Sequence, residues 1–244
     1  MRPEITFLAG VLVFAFASMA IYRATTAGRL VEDRTGRGGS FVLGFWVRNW
    51  FYWLIRPVTR ASVALGLKPD FYNLAVVACG VGGGYAYATG HFPTAGWLVL
   101  LSGLADVFDG EVARATHCAD ARGAFLDSTL DRFSEFFAFV GLGYYFASGW
   151  QTVAIVTALG GSLLVSYTRA RGESLGVLCK VGVMQRAERM LLLGVASILD
   201  PWISDAIHRD LGTIVSFAIA VIAVGTVWTS AHRTIWISRA LRGR

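Results

Sequence analysis

The sequence predicts an all-α fold, a polytopic transmembrane helix bundle. Two observations carry this. The chain is 55% hydrophobic and only 16% charged, with a mean hydropathy of +0.55, whereas soluble domains are roughly one-quarter charged. Its apolar segments also recur at the length a helix needs to cross a bilayer, ~20 residues.

Residues 5–22 are uncharged and predict a first span. The small residues Ala15, Ala17, Ser18 and Ala20 near its end also suit a cleaved signal peptide. The Arg-rich stretch that follows, to about residue 60, belongs in the cytoplasm and favours a retained helix. Next comes FVLGFWVRNWFYWLIRPVTRASVALG, residues 41–66, dense in aromatic rings with Arg48, Arg56 and Arg60 spaced through it. That mixture suits an amphipathic helix at the lipid headgroups, rings in the interface and guanidiniums toward phosphate. The alternative is a further span interrupted by Pro57. Six more spans are expected over 71–90, 95–115, 123–148, 152–170, 189–199 (extended at either end if it is to cross) and 212–231. The run Gly80, Val81, Gly82, Gly83, Gly84 permits close helix contact inside a membrane.

Charge orients the bundle. Placing 23–68, 114–132, 169–189 and 233–244 on the cytoplasmic side leaves only Arg2 and Arg209 outside, a positive-inside pattern. A multi-pass protein of the plasma membrane is expected, with membrane lipids as surroundings and no nucleic-acid partner. Cys79, Cys118 and Cys179 have no metal-like spacing, and the four histidines are scattered, so none is assigned to chemistry.

Against this apolar background, Asp106, Asp109, Asp127 and Asp131 lie in segments that otherwise read as membrane helix. One carboxylate near a bilayer centre costs ~2.5–3.5 kcal/mol even on the lenient insertion scale. Spacings of three, four and seven put Asp106, Asp109, Gly110 and Ala113 on one helical stripe. Gly123, Asp127 and Asp131 form a stripe on the next helix, and a short turn lets the two face each other. An oxygen-only ligand set without His or Cys favours Mg²⁺ or Mn²⁺. Two such ions ~3.5–4 Å apart form a clamp for a transferring phosphoryl group. A buried ion-pair network, or an intramembrane path for protons or cations, are the competing readings. Neither accounts for the small residues Gly110, Ala113 and Gly123.

This string, DVFDGEVARATHCADARGAFLDSTLD, resembles the signature of the CDP-alcohol phosphotransferases at all eight of its fixed residues. The resemblance covers about residues 45–235. It implies a six-helix core preceded by a juxtamembrane helix, so that 44–244 form the main domain. Residues 1–43, an extra transmembrane helix and a basic cytoplasmic linker, are an addition. It implies Asp106, Asp109 and Asp127 as metal ligands, with Asp131 at a second metal and acting as general base. Gly110, Ala113 and Gly123 would make room for the cytidine diphosphate, and Arg114 would contact its phosphates. Pro69 and Asp70 resemble an element near the nucleotide, although Pro at a helix start and Asp in its first turn also have a plain capping explanation. A homodimer is implied as well.

A second constellation follows in SYTRARGESLGVLCKVGVMQRAERMLLLG. Clustered Arg and Lys recognise phosphate, although they also satisfy the positive-inside rule. Ala170-Arg171, Gly176 and Arg186-Ala187-Glu188-Arg189 resemble the corresponding region of phosphatidylinositol-phosphate synthases. That implies inositol phosphate as acceptor, with Arg171, Lys180, Arg186 and Arg189 on its phosphate. Gly172 and Gln185 depart from the common pattern.

The expected activity is transfer of a phosphatidyl-type group from a CDP-linked lipid, CDP-diacylglycerol, to that small phosphorylated alcohol, with release of CMP. Glycerol 3-phosphate or serine are the alternative acceptors. A cation or proton transporter is the reading outside enzymology.

Overall fold

The computed structural model describes residues 3–26, 44–179 and 181–242. Among them are eight α-helices: α1 (Pro3–Thr26), α2 (Gly44–Ala64), α3 (Pro69–Ala88), α4 (Phe92–Ala115), α5 (Ala121–Tyr145), α6 (Trp150–Ser174), α7 (Arg186–Ala206) and α8 (Thr213–Arg242). The expected basic linker over 27–43 lies outside the described residues, as does Lys180.

The chain divides into two compact units, Met1–Ser62 and Val63–Arg244. Within the first, Tyr22 of α1 meets the rings of Trp46 and Trp53 of α2 at centroid separations of 5.8 and 5.6 Å. Trp50 donates its indole N–H to Ser18 Oγ at 3.2 Å. Helix α2 continues through Pro57 without a break, so the interruption in the alternative reading is absent.

The second unit holds the six-helix core. Helix α3 packs on α4 and α5, α6 on α8, and α7 on α4 and α8. Its buried centre includes Tyr87, Phe92, Phe139, Leu142, Val215, Ile219 and Ile222. Large apolar side chains such as Leu74, Tyr85, Val140, Leu164, Phe217 and Val224 remain exposed on the outer faces, as lipid-facing surface requires. Helices α6 and α8 each contain a window long and apolar enough to cross a membrane.

Two helix pairs, α3 with α5 and α4 with α7, close on glycine. A Cβ on Gly80 would lie 2.5 Å from the Ser134 backbone, and one on Gly141 would strike Gly84 outright. A Cβ on Gly96 of α4 would meet Gly194 of α7 at 2.6 Å. Without a hydrophobic drive between helices in lipid, such backbone-to-backbone approach supplies the packing energy. It fixes α5, which carries one acidic stripe, on α3, and α4, which carries the other, on α7.

The fifth core helix, α7, extends beyond residues 189–199 at both ends, as a crossing helix requires. Asp200 and Pro201 sit inside α7 instead of ending it. Asp200 is fully buried, and its carboxylate accepts from the amides of Gly212, Ile214 and Val215 at 2.6, 2.8 and 3.0 Å. These are orphan donors at the start of α8, where negative charge is favoured. Helix α8 likewise runs past the expected end at 231 to Arg242, its terminal basic residues being compatible with a helix that emerges at the headgroups.

Candidate active site

Strict alternation brings the start of α3, the end of α4, the start of α5, the end of α6, the start of α7 and the end of α8 to one end of the bundle. Nearly all the charge lies there. The α4–α5 turn is short, with His117 in a left-handed conformation at φ 56°. Asp120 caps α5, accepting from the Gly123 amide at 2.6 Å. A side-chain acceptor at this position satisfies one orphan N–H of the first turn. That turn sets the two acidic stripes against each other.

Asp106, Asp109 and Asp127 each offer a carboxylate oxygen, and the three atoms lie within 4.8 Å of one another. Asp109 Oδ2 and Asp127 Oδ1 are buried with no hydrogen-bond partner. Like charges at ~4 Å repel by ~4 kcal/mol per pair at an effective dielectric near 20, so such a cluster calls for a cation. Among the described residues the one cation in ion-pair contact with the aspartates is Arg186. Its Nη1 reaches Asp106 Oδ2 at 2.9 Å and its Nη2 reaches Asp131 Oδ1 at 2.6 Å. One guanidinium against four carboxylates leaves an excess of negative charge. The oxygen-only donor set and the orphaned buried oxygens fit a hard divalent ion.

Asp131 stands outside the group of three. It is on the same face of α5, one turn beyond Asp127, but its contact is with Arg186 rather than with Asp109 or Asp127. Asp106 links the two parts, clustering with Asp109 and Asp127 while it faces Asp131 directly and shares the Arg186 guanidinium with it.

The other expected residues distribute as follows. Gly110 and Ala113 are half-buried on α4, and a Cβ on Gly110 would come within 3.2 Å of the Arg114 guanidinium. Arg114 is held to Glu111 by a 2.6 Å bond. Pro69 opens α3, and Asp70 faces Arg122 of α5 at 3.9 Å, both side chains well exposed. Such a pair is worth little in energy, yet it puts the start of α3 beside the start of α5. Arg171 lines a groove of about 530 Å³ between α6 and α8, with Tyr167, Thr234, Ser238 and Arg242, that includes none of the four aspartates.

Arg189 departs from the expectation that it faces an acceptor phosphate. It is 2% exposed and forms a fork on Glu135, Nε to Oε1 at 2.6 Å and Nη2 to Oε2 at 2.9 Å. Its Nη1 donates to the Met184 carbonyl at 3.1 Å. With those donors committed, it anchors α7 to α5 one turn from Arg186. Glu135 went unread in the sequence, although its i+4 spacing from Asp131 places it on the acidic stripe.

A family model described as CDP-alcohol phosphatidyltransferase matches residues 68–236. The archaetidylinositol phosphate synthase of Methanothermobacter thermautotrophicus is 36% identical over 198 residues, covering 77% of this chain and 94% of its own. The phosphatidylinositol phosphate synthase of Streptomyces avermitilis is 29% identical over 211 residues, covering 82% and 84%. Crystal structures of the Mycobacterium tuberculosis phosphatidylinositol phosphate synthase, one with CDP-DAG bound and one in complex with manganese and citrate, share the fold. Each aligns with a TM-score of 0.65 at 26% identity over 74% of this chain, and over 92% and 87% of theirs. The agreement spans the helices that carry the aspartates and the arginines, and on it the chain belongs to the CDP-alcohol phosphatidyltransferase family and is an integral membrane phosphotransferase.

Proposed function

We propose that the protein transfers a phosphatidyl group from CDP-diacylglycerol to a hydroxyl of inositol phosphate and releases CMP. The single observation that carries this reading is the trio Asp106, Asp109 and Asp127 within 4.8 Å, with Asp131 held beside it by Arg186. Relatives named for inositol phosphate products support the acceptor, and the related structure with CDP-DAG supports the donor.

Asp106, Asp109 and Asp127 would hold one divalent ion, Mg²⁺ or Mn²⁺, and Asp131 with Asp106 a second; the related structure with manganese supports this. Bound there, the ions would screen the diphosphate and stabilise the charge of in-line displacement. Asp131 takes the proton of the acceptor hydroxyl, whose oxygen forms the new bond to the β-phosphorus of the CDP-lipid. The bond from that phosphorus to the bridging oxygen breaks, and its electron pair leaves with CMP. Arg186 fixes the orientation of Asp131 and is the acceptor-phosphate contact assigned first. Arg171 and Lys180 would draw the anionic acceptor to the same end of the bundle by charge. Half-buried Gly110 and Ala113, with Gly123, leave the cytidine diphosphate room, Arg114 lies along its phosphates, and Pro69 and Asp70 border it.

In the cell, this end faces the cytoplasm across the plasma membrane, as the positive-inside pattern supports. The active form is a homodimer, residues 44–244 make the enzyme domain, and the 1–43 segment is an addition to it.

The test is CMP release from CDP-diacylglycerol by the purified protein with inositol phosphate, glycerol 3-phosphate or serine in turn. Release with inositol phosphate alone is expected. Release with either of the others instead would reassign the acceptor, and ion flux without CMP would point to a transporter.

A further inference from the structure

The two acidic stripes continue one turn deeper into the bundle as hydroxyls. Ser102 stands four residues before Asp106 and seven before Asp109, and Ser134 stands three after Asp131 and seven after Asp127. Those spacings keep each serine on its stripe. The antiparallel α4 and α5 thus face each other in three rungs: Asp109 with Asp127, Asp106 with Asp131, and Ser102 with Ser134. A bond of 2.8 Å between the two Oγ atoms closes the serine rung. Ser102 gives its own proton to the Val76 carbonyl of α3 at 3.2 Å, so Ser134 is the donor to Ser102. Both serines are fully buried. Gly80 of α3 leaves them room, since a Cβ there would lie 2.6 Å from Ser134 Oγ.

Helices α4 and α5 pack chiefly on α3 and touch each other little. Yet the clustered ligands are split between them, Asp106 and Asp109 on α4 and Asp127 on α5. Carboxylates of like charge push the two stripes apart. The serine bond opposes this one turn below, as a neutral tie of the kind that holds membrane helices together. We propose that Ser102 and Ser134 are positioning residues for the ion site, setting the separation of α4 and α5 so that the aspartates suit a small divalent ion and discriminate against Ca²⁺. This rests on the ion reading given above. The physical basis is ligand distance. Mg²⁺ demands near-octahedral oxygens at about 2.0–2.1 Å, whereas Ca²⁺ takes them at about 2.3–2.6 Å in a flexible shell. A fixed, narrow gap between the stripes therefore favours the smaller ion, and a loosened one the larger.

The test is competition of Mg²⁺ and of Ca²⁺ against Mn²⁺ bound to the full chain in phosphatidylcholine nanodiscs, read by electron paramagnetic resonance. The variants are Ser134→Ala, Ser102→Ala and the two combined. Ser134→Ala cuts α4 from α5 and spares the Val76 bond, whereas Ser102→Ala cuts both. The ratio of Ca²⁺ to Mg²⁺ affinity should rise roughly three- to tenfold, the factor that one such bond supplies. It should rise at least as much in Ser102→Ala as in Ser134→Ala, and no further in the double variant, because the tie is lost only once. Ser197→Ala is the control. It removes an equally buried hydroxyl bond, to the Tyr87 hydroxyl at 2.7 Å, that joins α3 to α7 away from the stripes, and its ratio should equal that of the wild type. An unchanged ratio in Ser102→Ala and Ser134→Ala overturns the proposal. So does an equal rise in Ser197→Ala, which marks a general loosening of the bundle. Ser134→Ala decides the matter by itself if Ser102→Ala does not fold. A wild type that binds no Mn²⁺ removes the ion reading itself, and this proposal with it.

Discussion

Replacing Asp131 by asparagine should lower CMP release by roughly 10²–10⁴-fold, the range that a positioned general base supplies, while the protein folds and inserts normally. The amide is nearly isosteric, so α5 keeps its packing on α3. What disappears is the acceptor for the hydroxyl proton and one of the two ion pairs of Arg186. The matching control is Arg186→Met, which keeps the base and loses the charge that reaches the acceptor. Its effect should fall mainly on the acceptor KM. Full turnover by Asp131→Asn, measured as CMP release at saturating substrates, would refute the base.

The largest loss of stability should come from splitting Glu135 and Arg189. Each is almost wholly buried, and their fork joins α5 to α7 in the low-dielectric interior. Removing one partner strands the other charge, at a cost of ~3–5 kcal/mol. Glu135→Gln or Arg189→Met alone should therefore lower the unfolding midpoint strongly. The pair replaced together, Glu135→Leu with Arg189→Met, should recover much of that loss, because no charge is then left unpaired. A thermal or denaturant double-mutant cycle measures the coupling. Additive effects would show that the fork is not what joins the helices.

Much of the fold was legible because helices in lipid must satisfy their own backbone and announce themselves by length and hydropathy. The juxtamembrane helix, the first span and the six core helices all appear. The sequence reading faltered where a tertiary partner overrides local composition. The span over 189–199 needed extension to cross, and nothing local reveals that three amides at the start of α8 complete the carboxylate of Asp200 inside the lengthened α7. Arg189 read as a phosphate contact equivalent to Arg186, since nothing local shows that Glu135 of α5 occupies its guanidinium. Burial and partner separate Arg186, in contact with Asp106 and Asp131, from Arg189, which braces α7 against α5 through Glu135. Asp120 carried a local signal, an acid three residues before Gly123 at the mouth of a helix, and so did Glu135 on the Asp127–Asp131 stripe.

The aspartates were readable because carboxylates in an apolar helix have few explanations, and their spacing fixed which faces meet. The bridge that Arg186 makes between Asp106 and Asp131 was not readable. It depends on the start of α7 delivering Arg186 to Asp131, a contact between residues far apart in the chain.

The proposed chemistry requires Asp106, Asp109 and Asp127 to act together as ligands. Mn²⁺ titration of the purified full chain, followed by electron paramagnetic resonance, tests this directly. Saturable binding is expected, lost in Asp109→Asn and in Asp127→Asn, each of which alters a carboxylate with a buried partnerless oxygen, with helical content unchanged. Binding that survives both substitutions, or no binding by the wild type, would contradict it.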